Sequence, residues 1–174
     1  MNGNSSEFRN AEIFEALSEL QREEIALGAT ISRHKKGDYV FHAGNTADFL
    51  YVVAEGRVGL YADAHDGVLH PITILASGQV LGLSALLPIA SWELTARCLT
   101  DTALVTVPRR WLLSHMISDP DLELRLLEGA QVVSHRRTGD LVVAITNVNL
   151  GPFERAFGPG EPLVDWMENH PNTE

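Results

Sequence analysis

The 174-residue sequence contains one cysteine, Cys98, which excludes an internal disulfide and a cysteine metal cluster. Cys98 lies in an apolar strand pattern, where a buried small side chain is expected rather than a reactive thiol. The sequence also lacks any run near the roughly 18 apolar residues that a membrane span needs, so we expect no membrane association. Residues 1–10 lack the basic-then-apolar pattern of a signal peptide, and a cytoplasmic location is expected.

Positive charge is scarce as well. The chain has 13 Lys and Arg residues against 23 Asp and Glu residues, a net charge of −10. Binding DNA or RNA requires a basic face that displaces counterions, so this balance disfavours a nucleic-acid partner.

Motifs typical of enzymes are absent. No Walker-type or G-x-G-x-x-G phosphate loop occurs, and residues 82–86 lack the second glycine of a G-x-S-x-G elbow. A cupin-type metal enzyme remains an alternative because the chain has seven histidines. Metal ligation in such a roll requires paired histidines and a carboxylate, whereas these are scattered without a His-x-His pair: His34, His42, His65, His70, His115, His135 and His170. We therefore expect a non-enzymatic protein without a metal.

Short β-like runs punctuated by turn residues occupy residues 30–108. About eight strands at regular spacing predict an antiparallel jelly-roll barrel, a mainly β fold. Glu55-Gly56 and Asp66-Gly67 are each expected to close a β-hairpin, because glycine accepts the positive φ that tight turns require.

Helices are expected on both sides of the roll. Apolar spacing over residues 11–28 suits one or two short helices, and a short and then a long helix are expected within residues 109–147. The polar residues 1–10 are expected to be disordered. Residues 148–174 form a tail rich in Gly and Pro, with one possible short helix at Pro162–Glu168.

The stretch Gly78–Arg97, GQVLGLSALLPIASWELTAR, is the most informative segment. It predicts a strand ending at Gly82, a short helix over Leu83–Leu87, and a second strand from about Glu93. A helix that follows a glycine turn presents free backbone N–H groups, which favour an anion.

Several short motifs, most of them containing glycine, occur along the predicted strands, turns and helices. They are Gly37-Asp38-x-Val40 with Gly44, Phe49-Leu50-Tyr51-Val52-Val53 with Glu55-Gly56-x-Val58, Gly78-x-Val80-Leu81-Gly82, Thr95-Ala96, Asp101 and Pro108-Arg109. Together they resemble the cyclic-nucleotide-binding domain of the Crp/Fnr type over about residues 11–147. The resemblance implies a regulatory domain in which an eight-stranded roll is flanked by N-terminal helices and a long C-terminal helix.

In that family the 78–97 stretch is the phosphate-binding cassette, and the resemblance implies a ligand pocket there. Its positions here are Gly82, Leu83, Ser84, Ala85, Leu94, Thr95, Ala96 and Arg97. The family places a Glu for the ribose hydroxyl where this chain has Leu83, and an Arg for the phosphate where it has Leu94. A buried phosphate needs charge-assisted bonds, so we expect an altered pocket that is empty, self-filled or occupied by a more apolar ligand.

A working cAMP or cGMP receptor is the second hypothesis. It would read the phosphate with backbone N–H groups and Arg97. However, Arg97 lies three residues after Leu94, and strand alternation puts it on the opposite face unless a bulge intervenes. No resident cofactor is expected, and a cyclic nucleotide or another small molecule is the candidate effector.

The long helix of that family pairs with its counterpart in a homodimer and helps to cover the ligand. The corresponding seam here is Leu127, Ala130, Ser134, Leu141 and Ala144, which could alternatively pack on this chain's own roll. Arg136, Arg137 and Thr138 are candidates for a lid. A protein partner is also possible. DNA binding is not expected, because too few residues follow Asn147 to form the family's helix-turn-helix domain.

Overall fold

The computed structural model describes the backbone of residues 6–63, 68–87 and 91–147, with side chains described for 8–63, 68–87 and 91–135. The chain divides into two compact units, residues 1–141 and 142–174. The predicted tail, including the possible helix at Pro162–Glu168, lies outside the described residues.

Eight strands form the roll in the described part of the chain. They are β1 (Thr30–His34), β2 (Tyr39–Phe41), β3 (Phe49–Glu55), β4 (Val58–Asp63), β5 (Leu69–Leu75), β6 (Val80–Leu81), β7 (Thr95–Cys98) and β8 (Thr102–Pro108). They pair as two four-stranded antiparallel sheets, in the orders β1-β8-β3-β6 and β2-β7-β4-β5. The predicted jelly roll is confirmed, although the strands form two sheets rather than one closed barrel.

The β1-β8-β3-β6 sheet has a core on each face, as period-two alternation along its central strands requires. Leu50 and Val52 of β3 pack with the helices. Tyr51 and Val53, the alternate residues, pack into the roll interior together with Leu104 of β8. The sheet is therefore the layer that joins the helices to the inside of the roll.

The expected hairpin at Glu55-Gly56 is wrong, because β3 and β4 belong to different sheets. Gly56 has a φ of +89°, and the next residue, Arg57, donates its backbone N–H to Thr100 Oγ1 at 2.9 Å. The turn therefore carries the chain across to the second sheet beside residues 99–101. The second expected hairpin is confirmed as a pairing, since β4 runs antiparallel to β5 from Val58–Leu75 to Asp63–Leu69.

Helices lie before and after the roll, and one short helix lies within it. They are α1 (Ser6–Arg9), a 3₁₀ helix (Glu12–Phe14), α2 (Glu19–Leu27), a cassette 3₁₀ helix (Leu83–Leu86), α3 (Arg109–Ser118) and α4 (Pro120–Asn147). Disorder was expected over residues 1–10, but residues 6–9 are helical. Phe8 is fully buried, and its ring lies 4.8 Å from that of Phe14, so one aromatic anchor orders this segment. None of the helices in the described residues is long and apolar enough to span a membrane.

The start of α4 is fixed by polar contacts. The Asp119 carboxylate accepts hydrogen bonds from the backbone N–H groups of Asp121 and Leu122 at 3.0 and 3.2 Å. Gln21 of α2 donates to both Asp119 and Asp121. Further along, a side chain at Gly129 would collide with the backbone carbonyl of Ile13. This glycine therefore lets the N-terminal 3₁₀ helix cross α4 closely.

Candidate functional site

The cassette, residues 78–97, turns at Gly82. Gly82 has a φ of +85°, and a Cβ atom there would lie 2.9 Å from both the Phe49 carbonyl and the Trp92 ring. The 3₁₀ helix that follows ends at Leu86, one residue earlier than expected. The next strand begins at Thr95 instead of about Glu93. Glycine is thus required at this turn for both its torsion and its lack of a side chain.

A cavity of about 490 Å³ lies between the cassette, strands β4 and β5, and helix α4. We call it the cassette cavity. Its apolar lining includes Leu60 and Ile72 from the roll, Leu86 and Leu87 from the cassette, and the stacked rings of Phe41 and Trp92. Those two rings lie 4.0 Å apart with an interplanar angle of 15° and form one wall.

Leu83 and Leu94 both line the cassette cavity. Leu83 also packs against the core beneath the helices, whereas Leu94 packs against the roll interior. Among the described lining residues there is no Lys or Arg, and the one charged side chain is that of Glu93. The cavity therefore offers no cationic side chain to a phosphate in the part of the chain described.

The remaining predicted pocket positions divide into two groups. Gly82 and Ser84 line the cavity. Ala85, Thr95 and Ala96 are buried in the core below it. The Thr95 hydroxyl accepts a hydrogen bond from the Ala43 N–H at 3.0 Å, so it holds the neighbouring loop.

Arg97 lies outside the cassette cavity, and its predicted place in the pocket does not hold. Its side chain is exposed and donates from Nε to the Gly37 carbonyl at 3.0 Å. Its guanidinium carbon lies 5.3 Å from the centre of the Tyr39 ring. The register shift in this pair of strands falls in β2, between Tyr39 and Phe41, so Arg97 keeps the outward direction that alternation predicts.

Helix α4 covers one side of the cavity. Leu127, Ala130 and Ser134 of the predicted seam line it, together with Gln131. The side chains of Leu141 and Ala144, and of the lid candidates Arg136, Arg137 and Thr138, lie outside the described residues.

Sequence reasoning missed Phe41, Trp92 and Gln131 as lining residues. Trp92 lies inside the cassette and is the residue that a search for large side chains in that stretch would find. Phe41 and Gln131 come from β2 and α4, and nothing local in their sequence indicates that they meet at this cavity.

Within the described residues, no group of three His, Cys, Asp or Glu side chains lies close enough together to hold a metal ion. His34 Nε2 lies 3.0 Å from Ser32 Oγ, His42 packs on Tyr39, and His115 packs on Trp111. Burial raises the pKa of the Cys98 thiol, which is 1% exposed within the roll interior. Cys98 is thus a core residue, as predicted.

Comparison with known proteins identifies the class. The family model of the cyclic nucleotide-binding domain matches residues 31–119. The chain belongs to this family, which confirms the resemblance found in its motifs.

Two solved structures share the fold. The N-terminal domain of a transcriptional regulator from Streptomyces coelicolor superposes with a TM-score of 0.64 at 26% identity, covering 78% of this chain and 96% of that one. The catabolite activator protein of Thermus thermophilus gives a TM-score of 0.64 at 22% identity, over 78% of this chain and 62% of that chain. These likenesses place the chain with the effector domains of Crp/Fnr-type proteins.

A curated relative is similar over a shorter stretch. The lysophospholipase NTE1 of Chaetomium globosum is 28% identical over 90 residues, which is 52% of this chain and 6% of that protein. The chain thus spans a small part of that relative's length.

Proposed function

We propose that this chain is a non-enzymatic regulatory module that senses a small ligand in the cassette cavity and discriminates against the usual cyclic nucleotides. One observation carries the proposal. The cavity has leucine at both positions where the family reads the nucleotide, and no basic side chain lines it among the described residues.

Electrostatics supports discrimination against a phosphate. Removing one partner of a buried charge pair costs roughly 2–5 kcal/mol, which is some 30- to several-thousand-fold in affinity. Glu93 adds a negative charge at the cavity, and the net charge of the whole chain is −10. A cyclic phosphate would therefore lose its cation and gain a repulsive neighbour.

The lining favours a ligand that is mainly apolar and uncharged. Leucine, isoleucine and aromatic side chains form most of the surface, and burying apolar ligand area contributes about 25 cal/mol per Å². The neutral polar side chains in the described lining are Thr73, Ser84, Gln131 and Ser134, and these can orient such a ligand.

Isothermal titration calorimetry with cAMP and cGMP tests the proposal. We expect no binding in the micromolar range to the native chain. The double variant Leu83→Glu with Leu94→Arg restores the family's two readers, and should bind cAMP at least about tenfold more tightly than the native chain.

The competing hypothesis is a working cyclic-nucleotide receptor with a non-standard pocket. Micromolar or tighter binding of either nucleotide by the native chain would establish it and remove our proposal. The variant Arg97→Ala then tests whether that receptor uses Arg97 to bind the nucleotide. Loss of binding would show that it does, and unchanged affinity would show that it does not.

Signalling is proposed to pass through α4, by pairing with a second copy or with a protein partner. The support is the position of α4, which lines the cavity with Leu127 and Ala130 and leaves Leu124 and Val132 56% and 49% exposed. A ligand that changes the position of α4 would thereby change the apolar surface that Leu124 and Val132 present to a partner.

A further inference from the structure

A second groove, of about 650 Å³, shares Phe41 and Trp92 with the cassette cavity. It lies between β2, residues 42–48 of the following loop and the start of β3. We call it the aromatic groove, because its lining includes Tyr39, Phe41, Phe49, Tyr51 and Trp92. The chain has twelve Phe, Tyr and Trp residues in all, so almost half of them meet here.

Four of the five rings are linked by contacts and form one surface, those of Phe41, Phe49, Tyr51 and Trp92. Tyr51 lies between its neighbours, with its ring centre 6.0 Å from that of Phe49 and 6.2 Å from that of Trp92. Tyr39 contacts the ring of His42 at 4.5 Å. Phe49 remains 38% exposed and is open to an occupant. The Tyr39 ring is 42% exposed, but it already contacts His42 and the Arg97 guanidinium.

Main-chain hydrogen bonds hold the groove open in one shape. The Gly44 N–H donates to the Trp92 carbonyl at 2.8 Å, and the Trp92 N–H donates to the Asn45 carbonyl at 2.9 Å. These bonds tie the loop to the cassette on both sides of the tryptophan. An occupant would therefore find a preformed site, which lowers the entropic cost of binding.

Tyr51 contributes a largely buried ring to the groove. The residue is 8% exposed and lines the groove. Burial, followed by the nearby Asp48 carboxylate, raises the pKa of Tyr51 to about 12. The side chain is therefore neutral near pH 7 and adds no charge to the groove.

The charge of the groove is negative. Asp48 is the one charged side chain in the described lining, where no Lys or Arg occurs. Aromatic faces add negative electrostatic potential. Arg97 already lies over the Tyr39 ring at 5.3 Å, but it is not part of the lining.

A metal ion does not suit this set of groups. Calcium takes 6–8 oxygen ligands, and magnesium needs a near-ideal octahedron. One carboxylate cannot supply either, and no group of three potential ligands converges within the described residues. An organic ammonium ion is weakly hydrated and gains from both ring faces and a single carboxylate.

We propose that the aromatic groove binds an organic ammonium ion, which would lie against the exposed ring of Phe49 with Asp48 as its counter-ion. The groove adjoins the cassette cavity at the shared pair Phe41 and Trp92, and the proposal for the groove does not rest on which ligand the cassette cavity holds.

The test compares choline with its neutral carbon isostere, 3,3-dimethylbutan-1-ol, by NMR titration of the native chain. We expect choline to bind with a Kd in the millimolar range or tighter, and the isostere at least about tenfold more weakly. Asp48→Asn should weaken choline about fivefold or more, because it removes the counter-ion and keeps the shape. Glu23→Gln, a matched loss of an exposed carboxylate on α2, should leave the affinity for choline unchanged.

Three outcomes would overturn the proposal. They are equal affinity for choline and the isostere, full affinity in Asp48→Asn, and no binding of choline up to about 20 mM. Circular dichroism establishes that each variant is folded. Should Asp48→Asn not fold, the comparison of choline with the isostere on the native chain decides the question.

Discussion

Gly78 and Gly82, at the two ends of the short strand β6, have nearly the same backbone torsion, with φ of +83° and +85°. Their surroundings differ. A Cβ at Gly78 would meet nothing within 4 Å, whereas one at Gly82 would press on the Phe49 carbonyl and the Trp92 ring. A side chain at Gly78 would therefore destabilise the fold through its backbone torsion alone. A side chain at Gly82 would do so through both the torsion and a steric clash.

Replacing each glycine by alanine measures the two costs. Gly78→Ala should destabilise the chain by about 1–2 kcal/mol, the cost of a left-handed torsion for an L-residue. Gly82→Ala should cost about 1–3 kcal/mol more, because the added methyl group overpacks the turn. Urea unfolding checks both values, and equal losses would show that the space at Gly82 adapts freely.

At this scale the sequence predicts the two leucines of the cassette but not the aromatic groove. Leu83 and Leu94 stand beside a glycine and a Thr-Ala pair that locate them in a known pattern. Tyr39 and Trp92 are about fifty residues apart, yet they line one groove, where the loop at Gly44 bonds to the Trp92 backbone. Such a long-range hydrogen bond leaves no local signal.

Among the elements, α4 depends on its first turn. The pKa of Asp119 is held below its ordinary value, first by the Gln21 side chain and then by backbone N–H groups of Leu122 and Asp121. Because the folded-state pKa is the lower one, this carboxylate stabilises the fold above its unfolded pKa of about 3.8. The contribution is lost as the pH falls through the folded-state value.

Asp119→Asn tests this pH dependence. Asparagine can still accept bonds from the helix amides, but it carries no charge. The variant should be less stable than the native chain at neutral pH, and the difference should shrink below about pH 4 as Asp119 protonates. Thermal unfolding at a series of pH values measures it. A stability difference that stays constant down to about pH 2 would mean that the negative charge of Asp119 does not contribute to the stability of the fold.

The two hairpin predictions show what glycine turns do and do not determine. Asp66-Gly67 joins strands that pair, whereas Glu55-Gly56 joins strands of different sheets. Both sequences permit a sharp change of direction. After Gly56, strand β4 pairs with β5 and β7 instead of β3, and Arg57 bonds to Thr100, a partner more than forty residues away. Local sequence therefore predicted the turn, and tertiary contact selected the sheet.

For the whole molecule, the open question is its assembly through α4. Leu124 is 56% exposed on this helix, and we expect the native chain to sediment as a dimer. Leu124→Glu should shift it to the monomer, because a charge would be buried at the interface. Leu27→Glu alters another exposed leucine, 80% exposed on α2, and should leave the dimer intact. A native chain that is monomeric at all concentrations would reject the pairing.

The architecture as a whole was predictable because it rests on simple periodicities. Short β-like runs separated by turn residues predicted the eight strands of residues 30–108, and helical spacing predicted the short and then the long helix of residues 109–147. The order of the strands within the sheets follows from contacts between distant segments, as does the burial of Phe8, a lone aromatic residue in a polar stretch. Pattern alone does not contain that information.

The stacked pair Phe41 and Trp92 belongs to both the cassette cavity and the aromatic groove. An occupant that displaces either ring on one side must change the shape of the other. Thermodynamic reciprocity then requires that each occupant alter the affinity of the second by the same factor. The two cavities would in that case report on one another, and this ring pair would set the sign of their cooperativity.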